Sequence, residues 1–179
     1  TGEELAGMLD AYNELGPTLQ AGDRLFMHRT EHYQPQTGDI VVFEPPANLR
    51  ALLPPHKQDV LFIKRIIAVP GQRVEIVDGQ VLINRRPLLE EYVQTAPVYE
   101  WPAAVVPAGQ YFVLGDNRNA SSDSHVWGYV PEDHLLGEAY KIYWPPDRVR
   151  SLDSSRSRPQ ASTQPIGATP SPAAQSTAP

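Results

Sequence analysis

The chain has 179 residues, 41% of them hydrophobic, which is enough to bury one domain core. A formal net charge of −6 gives no basic footprint for nucleic acid, so that partner is not expected. Without cysteine, disulfides, zinc–thiolate sites and cysteine nucleophiles are excluded.

No run of about 18 apolar residues is present. The sequence therefore predicts no membrane-spanning helix, and the chain alone reads as soluble. It starts at Thr1 with no secretory leader pattern.

Residues 1–16 carry a helical pattern. Leu5, Met8, Leu9, Tyr12 and Leu15 recur at three- and four-residue steps, Thr1 with Glu4 matches a capping box, and Gly16-Pro17 is a stop. From Pro17 onward the pattern becomes that of strands. Leu25–Met27, Ile40–Phe43, Val60–Ile63, Val74–Val77 and Val81–Ile83 are short β-branched and aromatic runs, divided by Gly-Asp, Pro-Pro, Pro-Gly and Asp-Gly breakers. Asp78-Gly79 between two such runs predicts a tight hairpin.

Two later strands are expected at Tyr111–Leu114 and Ala139–Tyr143. The proline-spaced segment between Pro87 and Pro107 is expected as a surface excursion. After Pro146 the composition turns to Ser, Thr, Pro, Ala and Gln, which cannot bury enough apolar surface to order itself, so residues 149–179 are expected to be a disordered tail. The division is a helix over 1–16, an all-β core over 17–148 and the tail. No internal repeat is visible.

His28-Arg29-Thr30-Glu31-His32 fits the H-x-x-E-H spacing of some zinc peptidases. That chemistry needs both histidines on one helical face. Here the segment follows a predicted strand and has no helical apolar stripe, so no metal, and no other cofactor, is expected.

Four blocks follow one another in order: Pro17-Thr18-Leu19-Gln20-Ala21-Gly22-Asp23; Gly38-Asp39-Ile40-Val41-Val42-Phe43; Ile63-Lys64-Arg65-Ile66-Ile67-Ala68-Val69-Pro70-Gly71; and Gly115-Asp116-Asn117-Arg118-Asn119-Ala120-Ser121-Ser122-Asp123-Ser124 with Trp127-Gly128. Together they resemble the conserved boxes of the type I signal peptidases, from about Pro17 to about Pro146. The resemblance implies antiparallel sheets forming a partly open barrel, and a Ser/Lys serine endopeptidase. Such an enzyme sits at the outer face of a cytoplasmic or thylakoid-type membrane and removes signal peptides with small residues before the cleavage site from translocated preproteins. Membrane association would run through a segment absent from this sequence.

On the same resemblance Lys64 is the general base and Ser121 the hydroxyl that orients its amine. Arg65, Asp116, Arg118 and Asp123 are structural supports, with a salt bridge expected at Arg65. Leu15, Leu19, Phe62 and Ile63 line the pockets for small substrate side chains, although plain core packing would account for all four equally well. The base role is chemically demanding. An ordinary lysine titrates near 10.4, and a base for neutral pH must lie about three pH units lower, a cost of about 4 kcal/mol that burial among apolar groups can impose. Lys64 follows Val60-Leu61-Phe62-Ile63, a run in which such burial is expected.

The chain departs from the family pattern in two places. The nucleophilic serine belongs three residues before Pro17, where Glu14 stands, and the first serine in the chain is Ser121. The family also places an arginine two residues after Asp123, where this chain has His125. Three functions follow from these residues: a signal peptidase I-like endopeptidase by descent; a non-catalytic module on the same fold, holding extended peptides through main-chain hydrogen bonds; and a self-cleaving repressor-type Ser/Lys protease, for which neither a DNA-binding domain nor a cleavable linker is visible. The missing serine favours the second for the chain as it stands.

Overall fold

The computed structural model describes residues 3–5, 15–16, 18–29, 34–152 and 157–159. Thirteen strands make two antiparallel sheets among these residues. In chain order they are β1 (Glu3–Leu5), β2 (Arg24–Arg29), β3 (Ile40–Phe43), β4 (Phe62–Ala68), β5 (Arg73–Val77), β6 (Gln80–Ile83), β7 (Arg86–Glu90), β8 (Trp101–Val105), β9 (Gln110–Leu114), β10 (Val130–Pro131), β11 (Leu135–Trp144), β12 (Arg150–Ser151) and β13 (Ser157–Pro159). The larger sheet has the order β1-β2-β11-β3-β4-β9-β10, with β12 on β11, and the smaller has the order β13-β7-β6-β5-β8. Neither closes into a barrel. The helices α1 (Ala47–Arg50) and α2 (Ser124–Trp127) are single turns.

β3 and β4 hold the centre because both of their faces are buried. Ile40 and Val42 point into a cluster with Leu25, Met27, Ile63 and Ile142, and Val41 and Phe43 into another with Leu49, Ile66, Val113 and Trp127. At the far end of β4, Ile67 and Ala68 join a third cluster made with Val74, Ile76, Val81 and Ile83 of the smaller sheet. Each large side chain buried in this way contributes about 1.5–3 kcal/mol. The continuous apolar runs in the sequence are thus the strands covered on both faces. A cross-strand row runs His28, Glu138, Val41, Lys64 over β2, β11, β3 and β4.

The predicted Asp78-Gly79 hairpin joins β5 to β6, with φ of 50° and 73°. A two-residue turn with positive φ at both positions matches the twist of the flanking strands. The expected strands at 25–27, 40–43, 74–77, 81–83, 111–114 and 139–143 all lie within observed strands. The Val60–Ile63 run enters β4 only at Phe62 and continues through Lys64 to Ala68.

Three expectations need correction. The helix over 1–16 is contradicted at Glu3–Leu5, which pairs with Leu25–Met27 as an edge strand, while Leu15 and Gly16 lie in a turn. Residues 6–14, Glu14 among them, lie outside the described residues. The physical reason is that a short helix is marginal in water, whereas the open edge of β2 offers unpaired backbone groups to any extended segment.

The Pro87–Pro107 excursion contains β7 and β8 and buries Leu88 and Val106. Of its prolines, Pro87 sits at a ladder end and Pro102 on an edge strand, both of which tolerate it, while Pro97 and Pro107 lie between strands. The tail expected from 149 starts later. β12 pairs with β11, Leu152 reaches the cluster of Leu25 and Ile142, and Ser157–Pro159 pairs with β7. Residues 153–156 and 160–179 lie outside the described residues.

Candidate active site

Lys64 and Arg65 are neighbours on β4 and, by the alternation of a strand, leave it on opposite faces. Both are buried, Lys64 completely. The Lys64 amine donates to Ser121 Oγ at 3.2 Å. Desolvation pushes its pKa down to about 8, against the opposing pull of the charges on Asp123 and Asp116. Burial is the dominant effect, since it withdraws the water that stabilises the ammonium.

Arg65 forms the expected salt bridge. Its Nε and Nη2 donate to the two oxygens of Asp116 at 2.9 and 2.7 Å, and its Nη1 donates to the Gly38 carbonyl at 2.8 Å. The two-pronged pairing fixes orientation as well as charge. Asp116 accepts a further bond from the Thr18 hydroxyl at 2.5 Å.

The loop from Gly115 to Asp123 presents Ser121 and is held from several sides. Arg118 is buried, donates its Nε to the Gly115 carbonyl, and meets both oxygens of Glu90 at 2.8 and 2.5 Å. Asp123, also buried, caps α2 and accepts the Gly115 backbone N–H at 3.0 Å. Its other oxygen lies 2.5 Å from His125 Nδ1. Asn119 accepts the N–H of Val98 and donates to the carbonyl of Ala96, pinning the loop to the connection between β7 and β8.

The sequence profile described as "Signal peptidase, peptidase S26" matches residues 10–144. This chain belongs to that family. Among its relatives, a signal peptidase I of Leptolyngbya laminosa is 44% identical over 138 residues, spanning 76% of this chain and 67% of that protein. A probable signal peptidase I-1 of Synechocystis is 46% identical over 140 residues, spanning 77% and 70%. A probable thylakoidal processing peptidase 2 of Arabidopsis thaliana, chloroplastic, is 39% identical over 140 residues, spanning 76% of this chain and 37% of that protein.

Within this signal peptidase fold, Lys64 and Ser121 come together, and Arg65 with Asp116, Arg118 and Asp123 surrounds them. Leu15, Leu19 and Ile63 share one cluster, which the half-buried Leu61 and Leu136 flank. Phe62 does not join them. Strand alternation turns it to the other face, where its ring lies 6.0 Å from that of Phe43. Glu14, expected at the nucleophile's position, lies outside the described residues.

Three participants were missed in the sequence: Thr18, Glu90 and Tyr92. The Arg65 guanidinium lies 3.8 Å over the Tyr92 ring, and the Tyr92 hydroxyl donates to Glu90 at 2.7 Å. Glu90 and Tyr92 therefore join the Arg65 and Arg118 supports into one network.

Of the H-x-x-E-H segment, His28 and Arg29 belong to strand β2, which cannot supply the helical ligand pair. The rest of that segment lies outside the described residues. Among the described residues no group of three His, Asp or Glu side chains is placed to hold a metal ion, and no helix is long and apolar enough to cross a membrane.

Proposed function

We propose that this chain is a signal peptidase I-type domain that receives the signal peptides of translocated preproteins at a membrane surface, with Lys64 as the base of a Ser/Lys dyad and Glu14 in the nucleophile's place. The observation that carries this reading is the Lys64 amine, fully buried, held by Ser121 and with its pKa brought down to about 8, so that a neutral fraction is present near physiological pH. A lysine that is neutral near physiological pH can accept a proton from a serine hydroxyl. A charged one cannot.

In the complete dyad, a serine at position 14 attacks the carbonyl of the small residue while Lys64 takes its proton. The lysine then returns that proton to the leaving amine and activates the water that releases the acyl group. Ser121 fixes the amine, since a hydroxyl can accept from the lysine and donate elsewhere. The cluster of Leu15, Leu19 and Ile63 supports shallow pockets for alanine-sized side chains.

Glu14 carries no hydroxyl and is a poor amide nucleophile. The chain as it stands is therefore read as holding extended peptides without cutting them, the specific observation behind the binding-module reading.

The test is cleavage and binding of a fluorogenic peptide with an Ala-x-Ala site by this chain, Glu14→Ser and Glu14→Ser/Lys64→Ala. Glu14→Ser is expected to cleave and the double variant not to, with all three binding the peptide. Cleavage by the unaltered chain that Lys64→Ala abolishes would show that another residue is the nucleophile. Neither cleavage nor binding in any variant would overturn the reading.

A further inference from the structure

His125 stands where the family resemblance leads one to expect an arginine, beside the carboxylate that acts on the lysine. Its Nδ1 lies 2.5 Å from Asp123 Oδ1, and its backbone N–H donates to the same oxygen at 3.3 Å. The Tyr99 ring stacks on the imidazole, 3.8 Å between centroids and 10° from parallel, which fixes the ring against Asp123. Asp123 itself has no exposed surface, and its second oxygen is taken by the Gly115 N–H. His125 keeps 17% of its side-chain surface in solvent, which suffices for proton exchange.

We propose that His125 is a protonation-dependent positioning residue for the lysine base, deciding through Asp123 the charge state in which Lys64 waits. The proposal rests on the reading of Lys64 as base. The carboxylate of Asp123 favours the ammonium form of Lys64. An imidazole changes charge between about pH 5 and 8. When His125 is charged it offsets Asp123, the pull on Lys64 weakens, and the lysine releases its proton more readily. When His125 is neutral, Asp123 acts on Lys64 uncompensated and the lysine keeps its proton.

Two sites therefore compete for one proton across one buried carboxylate. The state with charged His125 and neutral Lys64 can act as base. The state with neutral His125 and charged Lys64 holds the same number of protons and cannot.

Asp123 and Tyr99 face the imidazole, the Arg118–Glu90 pair acts on Tyr99 from behind, and Asp116 acts on Lys64 from the Arg65 side. An arginine at 125 would fix the compensating charge at every pH; a glutamine would remove it.

The experiment follows the ¹³Cε resonances of the three lysines, Lys57, Lys64 and Lys141, against pH in the unaltered chain, His125→Arg and His125→Gln, with thermal melts to establish folding. At a given pH the ratio of neutral to charged Lys64 is expected to be about tenfold higher in His125→Arg than in His125→Gln. The unaltered chain should follow the arginine curve at acid pH and the glutamine curve at alkaline pH. Superimposable Lys64 titrations in all three would overturn the proposal. Should His125→Arg fail to fold, His125→Gln must still leave Lys64 more charged than the unaltered chain on the acid side, or the proposal falls.

The same substitutions on Glu14→Ser separate this idea from the functional reading. A titration that moves while Glu14→Ser cannot cleave keeps the coupling and removes the peptidase reading. Cleavage whose kcat/KM profile is the same with His, Arg or Gln at 125 keeps the peptidase and removes the coupling.

Discussion

Thr18 donates its hydroxyl to Asp116 at 2.5 Å across 98 residues of chain, tying the turn after position 14 to the loop that presents Ser121. Asp116 is at the same time the two-pronged partner of Arg65. One buried carboxylate thus fixes the turn at Thr18, strand β4 and the Ser121 loop relative to one another.

Asp116→Asn is expected to cost about 3–5 kcal/mol, because it leaves a buried guanidinium without its countercharge. Thr18→Val removes one hydrogen bond and should cost about 1 kcal/mol. Urea unfolding of both variants checks the ranking. An Asp116→Asn loss of under about 1 kcal/mol would mean that Gly38 and Tyr92 suffice to hold Arg65.

Lys64 makes stability depend on alkaline pH. Its folded pKa of about 8 lies below the ordinary 10.5, so between those values the unfolded chain binds more protons than the folded one. Stability contributed through this group therefore rises as pH climbs from about 8 to about 10.5, and below pH 8 the folded protein carries a penalty of about 3 kcal/mol. Lys64→Met removes the penalty and loses the Ser121 bond. It should be about 2 kcal/mol more stable than the unaltered chain at pH 7, with that difference closing by pH 10.5. Denaturation midpoints at pH 7, 9 and 10.5 measure it, and a difference independent of pH would contradict the buried-ammonium account.

Lys64 and Ser121, which the fold brings within hydrogen-bond distance, stood out in the sequence because their neighbours are distinctive, a lysine inside an apolar strand and a serine inside a Gly-Asp-Asn-Arg loop. The sequence showed most core strands for a similar reason, since runs covered on both faces are apolar throughout. It hid Glu90 and Tyr92, whose roles depend on a chain path that returns to the Arg65 and Arg118 supports, which no local pattern encodes. It misplaced Glu3–Leu5 because helical spacing is a local signal, while pairing with β2 is decided by the sheet edge. Leu152 was lost inside a polar composition, where a single apolar residue gives no period.

Glu138 offers a second pH handle with the opposite sign. It lies on β11 between His28 and Val41, half-buried, and desolvation with the nearby Asp39 charge pushes its pKa up to about 7. An acid whose folded pKa exceeds its unfolded value binds more protons when folded, so stability falls as pH rises from about 4.5 to about 7. Glu138→Gln should therefore gain on the unaltered chain across that window, by no more than about 1 kcal/mol given its partial exposure. Melting temperatures at pH 4.5, 6 and 7.5 test this, and a gap that narrows with rising pH would refute it.

Gly137 is required by a close approach of two strands. It sits on β11 between β2 and β3, beside a register shift, and a Cβ there would lie 2.0 Å from the His28 carbonyl oxygen and 2.9 Å from the His28 carbonyl carbon. Both are backbone atoms, so no side-chain rotation relieves the clash, and β2 itself must move. Overpacking typically costs about 1–3 kcal/mol, and a backbone clash belongs at or above the upper end. β2 carries Leu25 and Met27 into the cluster of Leu15, Leu19 and Ile63, so its displacement reaches the proposed substrate pockets. Gly137→Ala is expected to lose at least about 3 kcal/mol and to weaken binding of the Ala-x-Ala peptide by the same folded fraction. Calorimetry together with peptide titration checks both, and a variant as stable as the unaltered chain would show that β2 can shift away from β11 without cost.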